Sequence, residues 1–346
     1  MTKILGFIRD TSWDKLDAVN YYRTYLPLRE INRRDNGISA MCAGGKQLEG
    51  ATDDELGGRD IYTMCRMYQS PEETQKFMDE IHRQGGVLVF DSDDDLTETY
   101  KMVSGRGEEF KAVLGIVDYV TTSTRPLAGI LSPYTKRPPV VLQNCVDVDW
   151  MQETAKKSKR VIEGLTLGFS GSPTHWGDWY IPAVPFAQLG AEYKETVTLV
   201  VHGEAPRYLE FAAQKAEMIS LGSVPFSVYP VLLSQFDMLI CAVDGNDPFN
   251  QGKSAVKALE CMALGVIPIC SNWGAYRELA KMGAPVVLVQ KSKSRESWRG
   301  AMRKLIEDPA KRAKLSAAGP KWVKENRDMV FSGYLQWQEF YRSIAE

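Results

Sequence analysis

Short apolar runs alternate along the chain with stretches whose apolar residues recur every three or four positions. The first pattern predicts strands and the second predicts helices packed on them. In the first half the strand runs are Lys3–Ile8, Ile61–Cys65, Val87–Phe90, Tyr119–Thr122 and Val140–Leu142. Tyr21–Arg33 carries apolar residues at helical spacing. Pro71–Gln84 begins with proline and is followed by Gly85-Gly86, the expected asymmetry of a helix. The pattern then restarts with strand runs at Leu165–Phe169, Thr196–Val201, Met238–Val243, Val266–Cys270 and Val286–Val289. Two successive sets of alternating elements predict an α/β protein built on two open parallel sheets.

The segment Met151–Glu163 is charged and weakly patterned, and the joint between the two sets is placed there. Beyond Val289 the chain reads as helical. Arg312–Glu325 is interrupted by Gly319-Pro320, and Ser332–Ile344 carries Tyr334, Leu335, Trp337, Phe340 and Tyr341 on a face suited to packing. No short repeat or low-complexity tract is present.

The length of 346 residues adds a domain count of two, at roughly 100–200 residues each. The expected bounds are 1–155 for an N-terminal domain, 156–328 for a C-terminal domain and 329–346 for a helix returning across the joint. Ligands of open α/β sheets bind at the carboxyl ends of the strands, so a cleft between two such sheets is the expected site.

A formal net charge of -2 argues against a protein held mainly by electrostatic attraction to nucleic acid. None of the six cysteines forms a C-x-x-C pair, which suits reduced core thiols. With three histidines, no zinc site is expected. MTKILGFIRD holds too short an apolar stretch for a signal peptide, and no window reaches the ~18 apolar residues of a membrane span. A soluble, cytoplasmic protein is expected.

The most informative stretch runs from Asp237 to Leu279. A strand leads into a polar loop, and a helix is expected from about Lys253 to Leu264, ended by Gly265. Lys253, Lys257, Glu260 and Leu264 would then share one helix face. Two lysines at a helix start add to the positive end of its dipole, a costly arrangement unless an anion is present. A diphosphate is a suitable anion, and Glu260 is placed to accept hydrogen bonds from a ribose diol. A solvated face with a Lys257–Glu260 pair is the alternative.

This stretch resembles the donor-binding segment of the group 1, or family 4, retaining glycosyltransferases. Their pattern is a Glu, seven residues, a second Glu, small apolar residues, then G-x-P. Glu260 in LECMALGVIPICS matches the second Glu, but the first falls at Gly252. Lys253, Ser254, Lys257 and Glu260 follow a K-S-x-x-K-x-x-E pattern that looks closer to a divergent branch. The resemblance implies the GT-B fold, two Rossmann-like domains facing across a cleft. It implies transfer of a hexosyl or pentosyl group from a nucleoside diphosphate sugar to an acceptor hydroxyl, with retention. A UDP- or GDP-sugar is the expected co-substrate, with no permanently bound cofactor and no metal. Glu260 would hold the ribose. The family's first Glu touches the transferred sugar, so Gly252 is a departure at that point. Asn250 joins the candidate donor residues, and Trp273, Gly274 and Tyr276 look like a loop closing on the nucleotide or sugar.

Other segments add candidates. LGFSGSPTHWGD ends a strand at Gly171-Ser172 and places His175 and Asp178 near a helix start. In the family this loop faces the donor phosphates, which makes His175 a candidate phosphate ligand or proton donor. Helix capping by Thr174 or Asp178, with His175 exposed, is the alternative. VVHGEAPR offers His202, Gly203 and Arg207 at the next strand end, where the family has a basic residue for the diphosphate. Phe226 and Tyr229 fit either base contact or core packing.

VLVFDSDDDL delivers Asp91, Asp93, Asp94 and Asp95 from a strand. Asp93, Asp94 and Asp95 are read as acceptor-side residues, one of them a candidate base, against a capped helix start with solvated charges. Tyr22 and Arg23 open the first helix, in a loop that faces the cleft in the resembling branch, where Arg23 would bind donor phosphate or acceptor. Asn144, Val146 and Asp147 resemble the N-x-V-D end of the family's N-terminal domain.

Gly252-Lys253-Ser254 also suggests the end of a phosphate-binding G-x-x-x-x-G-K-[ST] loop. The first glycine of that motif falls at Asp247, which sets the nucleoside triphosphatase reading aside. No G-x-G-x-x-G follows a strand, so a nicotinamide enzyme is not expected. A non-catalytic sugar-nucleotide-binding protein remains the alternative, because of Gly252. A glycan, a lipid, a small molecule and a hydroxymethylated DNA base all fit as acceptors.

Overall fold

The structure, a computed structural model, describes residues 1–9, 15–34, 36–44, 57–66, 70–98, 105–214 and 216–345. It divides into two compact units. The first comprises Met1–Cys145, Pro248–Ser254 and Asp328–Glu346, and the second Val146–Asp247 and Ala255–Arg327.

The first unit holds β1 (Thr2–Phe7), β2 (Ile38–Ala43), β3 (Ile61–Cys65), β4 (Val87–Ser92), β5 (Tyr119–Thr122) and β6 (Val140–Val141). They form one sheet in the order β2-β1-β3-β4-β5-β6. Every pairing is parallel. The central strands are buried on both faces, so their side chains are apolar almost throughout and read as continuous runs.

Helices α1 (Leu26–Asn32), α2 (Pro71–Arg83), α3 (Gly107–Ile116) and α4 (Arg125–Leu131) belong to this unit. Ser70 caps α2 by accepting from the Glu73 N–H, and the Glu73 carboxylate accepts from the Ser70 N–H. Two departures from a single Tyr21–Arg33 helix occur. A short turn, Ala18–Asn20, and a π-helical turn, Tyr21–Tyr25, precede α1. The wider turn buries Tyr21, Tyr22, Arg23 and Thr24 together.

Arg23 organises this unit. Its Nε and Nη2 donate to the two Asp91 oxygens at 2.8 and 2.6 Å. Its Nη1 donates to the Leu142 carbonyl at 2.5 Å and to Asn144 Oδ1 at 2.8 Å. Thr121 donates to Asp91 Oδ1, and the Trp337 ring lies 4.7 Å from the guanidinium carbon. Burial alone would lower the Arg23 pKa, but the Asp91 carboxylate outweighs it and the pKa is raised.

The second unit holds β7 (Leu165–Ser170), β8 (Val197–His202), β9 (Met218–Leu221), β10 (Met238–Cys241), β11 (Ile267–Ser271) and β12 (Val287–Val289). They form one parallel sheet in the order β12-β11-β10-β7-β8-β9. The order reverses between β7 and β10. Such a switch point leaves a crevice at the carboxyl ends of the strands. Its helices are α5 (Val148–Ala155), α6 (Trp176–Glu192), α7 (Arg207–Ala212), α8 (Tyr229–Leu233), α9 (Val256–Ala263), α10 (Gly274–Lys281), α11 (Arg295–Glu307) and α12 (Pro309–Asn326).

Several elements differ from expectation. The helix expected at Lys253–Leu264 begins at Val256, so Lys253 and Ser254 are outside it and Lys253 shares no helix face with Lys257 and Glu260. A 3-10 turn, Pro248–Gln251, occupies the preceding chain, and the Lys253 N–H donates to the Asn250 carbonyl. Pro320 does not interrupt α12. Gly319, beside it, lets that helix meet the Met262 backbone, where a Cβ would stand 2.8 Å from the Met262 oxygen.

Residues 146–155, expected in the N-terminal domain, cluster with the second unit. There the Val146 N–H donates to the Arg327 carbonyl, and Gln152 donates to the Ala263 carbonyl. The C-terminal helix α13 (Tyr334–Ala345) lies in the first unit, with Phe340 edge-on to Tyr119 at 6.2 Å. All six cysteines are free, and no helix among the described residues is long and apolar enough to cross a membrane.

Removing one partner of a buried ion pair leaves the other charge uncompensated, at a cost of about 3–5 kcal/mol. Asp91→Ala is therefore expected to lower the unfolding free energy by about that amount in denaturant titrations. A loss under about 1 kcal/mol would contradict the role given to the Arg23–Asp91 pair.

Candidate functional site

The switch point of the second sheet gathers a compact polar group. Ser170 ends β7 and Gly171 follows it, and Lys257 stands in the first turn of α9, the helix that follows β10. Lys257 Nζ donates to the Ser170 carbonyl at 2.5 Å. Glu260, three residues on, is only 5% exposed. No side chain caps the start of α9, so its first N–H groups add to the positive charge of Lys257.

Two glycines make this convergence possible. A Cβ on Gly171 would lie 2.8 Å from His175 Cδ2 and 3.2 Å from Lys257 Nζ. A Cβ on Gly203 would lie 2.2 Å from the Gly171 carbonyl oxygen, and Gly203 has φ +91°, a left-handed value that favours glycine. The ends of β7 and β8 therefore lie flush against each other.

Ser170 Oγ links two further groups. It lies 2.9 Å from His202 Nδ1 and 3.2 Å from the Tyr229 hydroxyl. His202 Nε2 is buried with no hydrogen-bond partner among the described residues. Burial, then the charge of Lys257, lowers the His202 pKa to about 4. The ring is thus neutral near pH 7. Burial, then the negative charge of Glu260, raises Tyr229 well above the usual tyrosine range. Ser170, His202 and Tyr229 form a neutral polar set that feels both Lys257 and Glu260.

His175 is held from the other side. Its Nδ1 lies 3.2 Å from Asp178 Oδ2, and Asp178 Oδ1 accepts from the Asp244 N–H at 2.7 Å. When Nδ1 carries the proton donated to Asp178, Nε2 is left as an acceptor. Asp178 and Asp244 also line a pocket of about 340 Å³ together with Trp273 and Asn272.

The remaining candidates fall elsewhere. Ser172 is exposed just beyond Gly171. Arg207 is exposed at the start of α7 and lines a different pocket. Tyr276 is buried on α10, and that burial raises its hydroxyl well above the usual tyrosine range.

Asn250, Lys253 and Ser254 lie in the first unit. There Asn144 Nδ2 donates to both Asp93 Oδ1 and Ser254 Oγ at 2.9 Å. The Thr124 hydroxyl donates to the Gly252 carbonyl at 2.8 Å. Lys253 Nζ lies 4.8 Å from the Phe249 ring centre. Arg23 and Tyr22 are buried, and the Arg23 guanidinium is engaged by Asp91, Leu142 and Asn144. Asp94 pairs with Arg66, and Asp95 accepts from the Thr97 N–H and hydroxyl. Among the four clustered aspartates, Asp93 is the one bonded to Asn144, whose amide also holds Ser254.

Residues 186–322 match the sequence model described as Glycosyl transferases group 1. The chain has a GT-B fold, and this part of it is similar to the group 1 glycosyl transferases. The fold is shared with HepE from Anabaena, solved with UDP and glucose, at 14% identity and a TM-score of 0.67, over 99% of this chain and 100% of that one. A glycosyltransferase from Rickettsia africae matches at 11% identity and TM-score 0.64, over 100% and 99% of the two chains. A UDP-GlcNAc 2-epimerase from Neisseria meningitidis, bound to UDP-GlcNAc, matches at 11% and 0.58, over 99% and 100%. No curated protein matches the chain by sequence.

Ser170 is the residue of this group that sequence reading did not single out. Its signal was available: a polar side chain at the carboxyl end of an otherwise apolar strand. Gly252, where the departure falls, is sterically crowded. A Cβ there would lie 2.9 Å from Leu127 Cδ1 and 3.2 Å from Leu127 Cβ.

Two outcomes follow. In NMR titrations the His202 ring is expected to titrate near pH 4, against about 6.5 for a free histidine. Because the folded pKa is the lower one, the unfolded chain takes up the proton first. Stability is therefore lost as pH falls from about 6.5 towards 4, and less so in His202→Gln. A ring titrating above pH 6 would contradict the burial described. Gly252→Glu, which restores the family residue, is expected to destabilise the protein by about 1–3 kcal/mol through overpacking. Unchanged thermal stability would show that Leu127 yields.

Proposed function

We propose that the chain transfers a sugar from a UDP-sugar to an acceptor hydroxyl. The observation that carries this is Glu260, a buried carboxylate one turn beyond Lys257 at the β7/β10 switch point. A ribose offers two adjacent hydroxyls, and a carboxylate accepts from both. Lys257 and the uncapped start of α9 supply positive or hydrogen-bonding partners for a diphosphate, and His175 does so when both its ring nitrogens carry protons. Neutralising that charge makes the nucleotide a better leaving group.

His202 and Tyr229 bring polar atoms without net charge, which suits a nucleobase or sugar oxygen rather than phosphate. UDP is the first nucleotide to test, because the similar structures from Anabaena and Neisseria hold UDP or a UDP-sugar. Retention of configuration is the stereochemistry the family resemblance implies. On the acceptor side, Asp93 is the carboxylate proposed to receive the hydroxyl proton, with Asn144 fixing its orientation.

The test is calorimetric titration with UDP, GDP, ADP and dTDP, without metal, of the wild type and Glu260→Ala. Micromolar UDP binding, weakened tenfold or more by the substitution, is expected, since loss of a charge-assisted hydrogen bond costs about 1.5–3 kcal/mol. Failure to bind any of the four would sink the transferase reading. UDP binding without hydrolysis or transfer of UDP-glucose or UDP-GlcNAc would favour a sugar-nucleotide-binding protein.

A further inference from the structure

Helices α6 and α7 join strands that run in one direction along the second sheet, β7 to β8 to β9, whereas α9 joins β10 to β11 in the opposite direction. Right-handed crossovers place these two sets on opposite faces of the sheet. The donor candidates Lys257 and Glu260 belong to the α9 face. On the other face, the ends of β8 and β9 and the starts of α6 and α7 enclose a surface pocket of about 880 Å³.

Its walls are of two kinds. Trp176 and Tyr208 form a rigid aromatic part. The Trp176 indole N–H donates to the Glu204 carbonyl at 2.8 Å, and the Tyr208 hydroxyl donates to the Trp176 carbonyl. Tyr180, 53% exposed, meets Tyr208 edge-on at 5.5 Å. The rest is polar and uncommitted. The side chains of Glu204, Arg207 and Glu210 make no hydrogen bond or ion pair among the described residues. The hydroxyls of Ser220 and Ser223 also line the pocket.

We propose that this pocket binds a neutral oligosaccharide, in a site apart from Lys257 and Glu260. Two carboxylates against one guanidinium disfavour a phosphate or other anion. Sugar hydroxyls can donate to Glu204 and Glu210 and accept from Arg207 and the serines. The C–H face of a pyranose packs on an aromatic ring, and Trp176 and Tyr208 are held in place to receive it. The volume lies near the upper end for small-ligand pockets, so more than one sugar ring is accommodated. The proposal does not depend on the donor-site reading.

The test titrates maltotetraose, cellotetraose and chitotetraose into the full chain, followed by tryptophan fluorescence and calorimetry. Spermine and inorganic pyrophosphate are titrated alongside. At least one tetrasaccharide is expected to bind saturably, and the Glu204→Gln/Glu210→Gln variant to weaken it tenfold or more. Both positions are exposed, and circular dichroism of the variant checks that it folds. UDP affinity of the same variant is expected to be unchanged. The proposal is overturned if no tetrasaccharide binds below about 10 mM. It is equally overturned if the variant binds them as the wild type does, or if only spermine or pyrophosphate binds. Saccharide binding without UDP binding would sink the transferase reading and leave this site standing.

Discussion

A guanidinium with about one per cent of its surface exposed must find its acceptors inside the protein, and Arg23 finds them on separate stretches of the chain. Asp91 ends a central strand, Leu142 and Asn144 follow the edge strand β6, and Trp337 comes from the C-terminal helix. A charge in a low-dielectric interior tolerates little displacement of its partners. The network therefore fixes where β4 ends, where the chain leaves β6 and how α13 is seated. Asn144 extends it outward. With its oxygen taken by Arg23, its amide nitrogen is left for Asp93 and Ser254.

The second unit solves a different problem. Its sheet is drawn together at the switch point by close backbone approach. Two glycines bring β7 and β8 together closely enough for Lys257 to reach the Ser170 carbonyl. Ser170, His202 and Tyr229 form a linked neutral set beside Lys257 and Glu260. Lowering the His202 pKa prevents a second positive charge from forming beside Lys257.

How much of this was legible depended on how completely each element was buried. The central strands read clearly, because burial on both faces makes them continuous apolar runs. β2 and β9 were missed, and both lie at sheet edges, where ISAMCA and MISL mix polar and small residues. The helix of Glu260 was read, but its start was placed three residues early. Nothing local marks that start, since Asn144 and Thr124, which hold Ser254 and Gly252, lie over a hundred residues away. The same limit applied to Arg23. Its sequence context suggested a ligand contact, whereas partners 68 and 121 residues distant engage it in the interior. Glu260 was legible because its spacing from Lys257 and the G-x-P that follows are both local.

The seven residues from Pro248 to Ser254 belong to one unit while the chain on either side of them belongs to the other. With the C-terminal segment, this means that neither unit is encoded by one uninterrupted stretch of gene. A truncation at residue 145 or 146 removes α13 and the 248–254 loop from the first unit, and with α13 the Trp337 ring beside Arg23. It leaves the second unit with a loop whose anchors, Thr124 and Asn144, are gone. Evolutionary exchange of either half by simple recombination would meet the same obstacle, so the two halves are constrained to be inherited together.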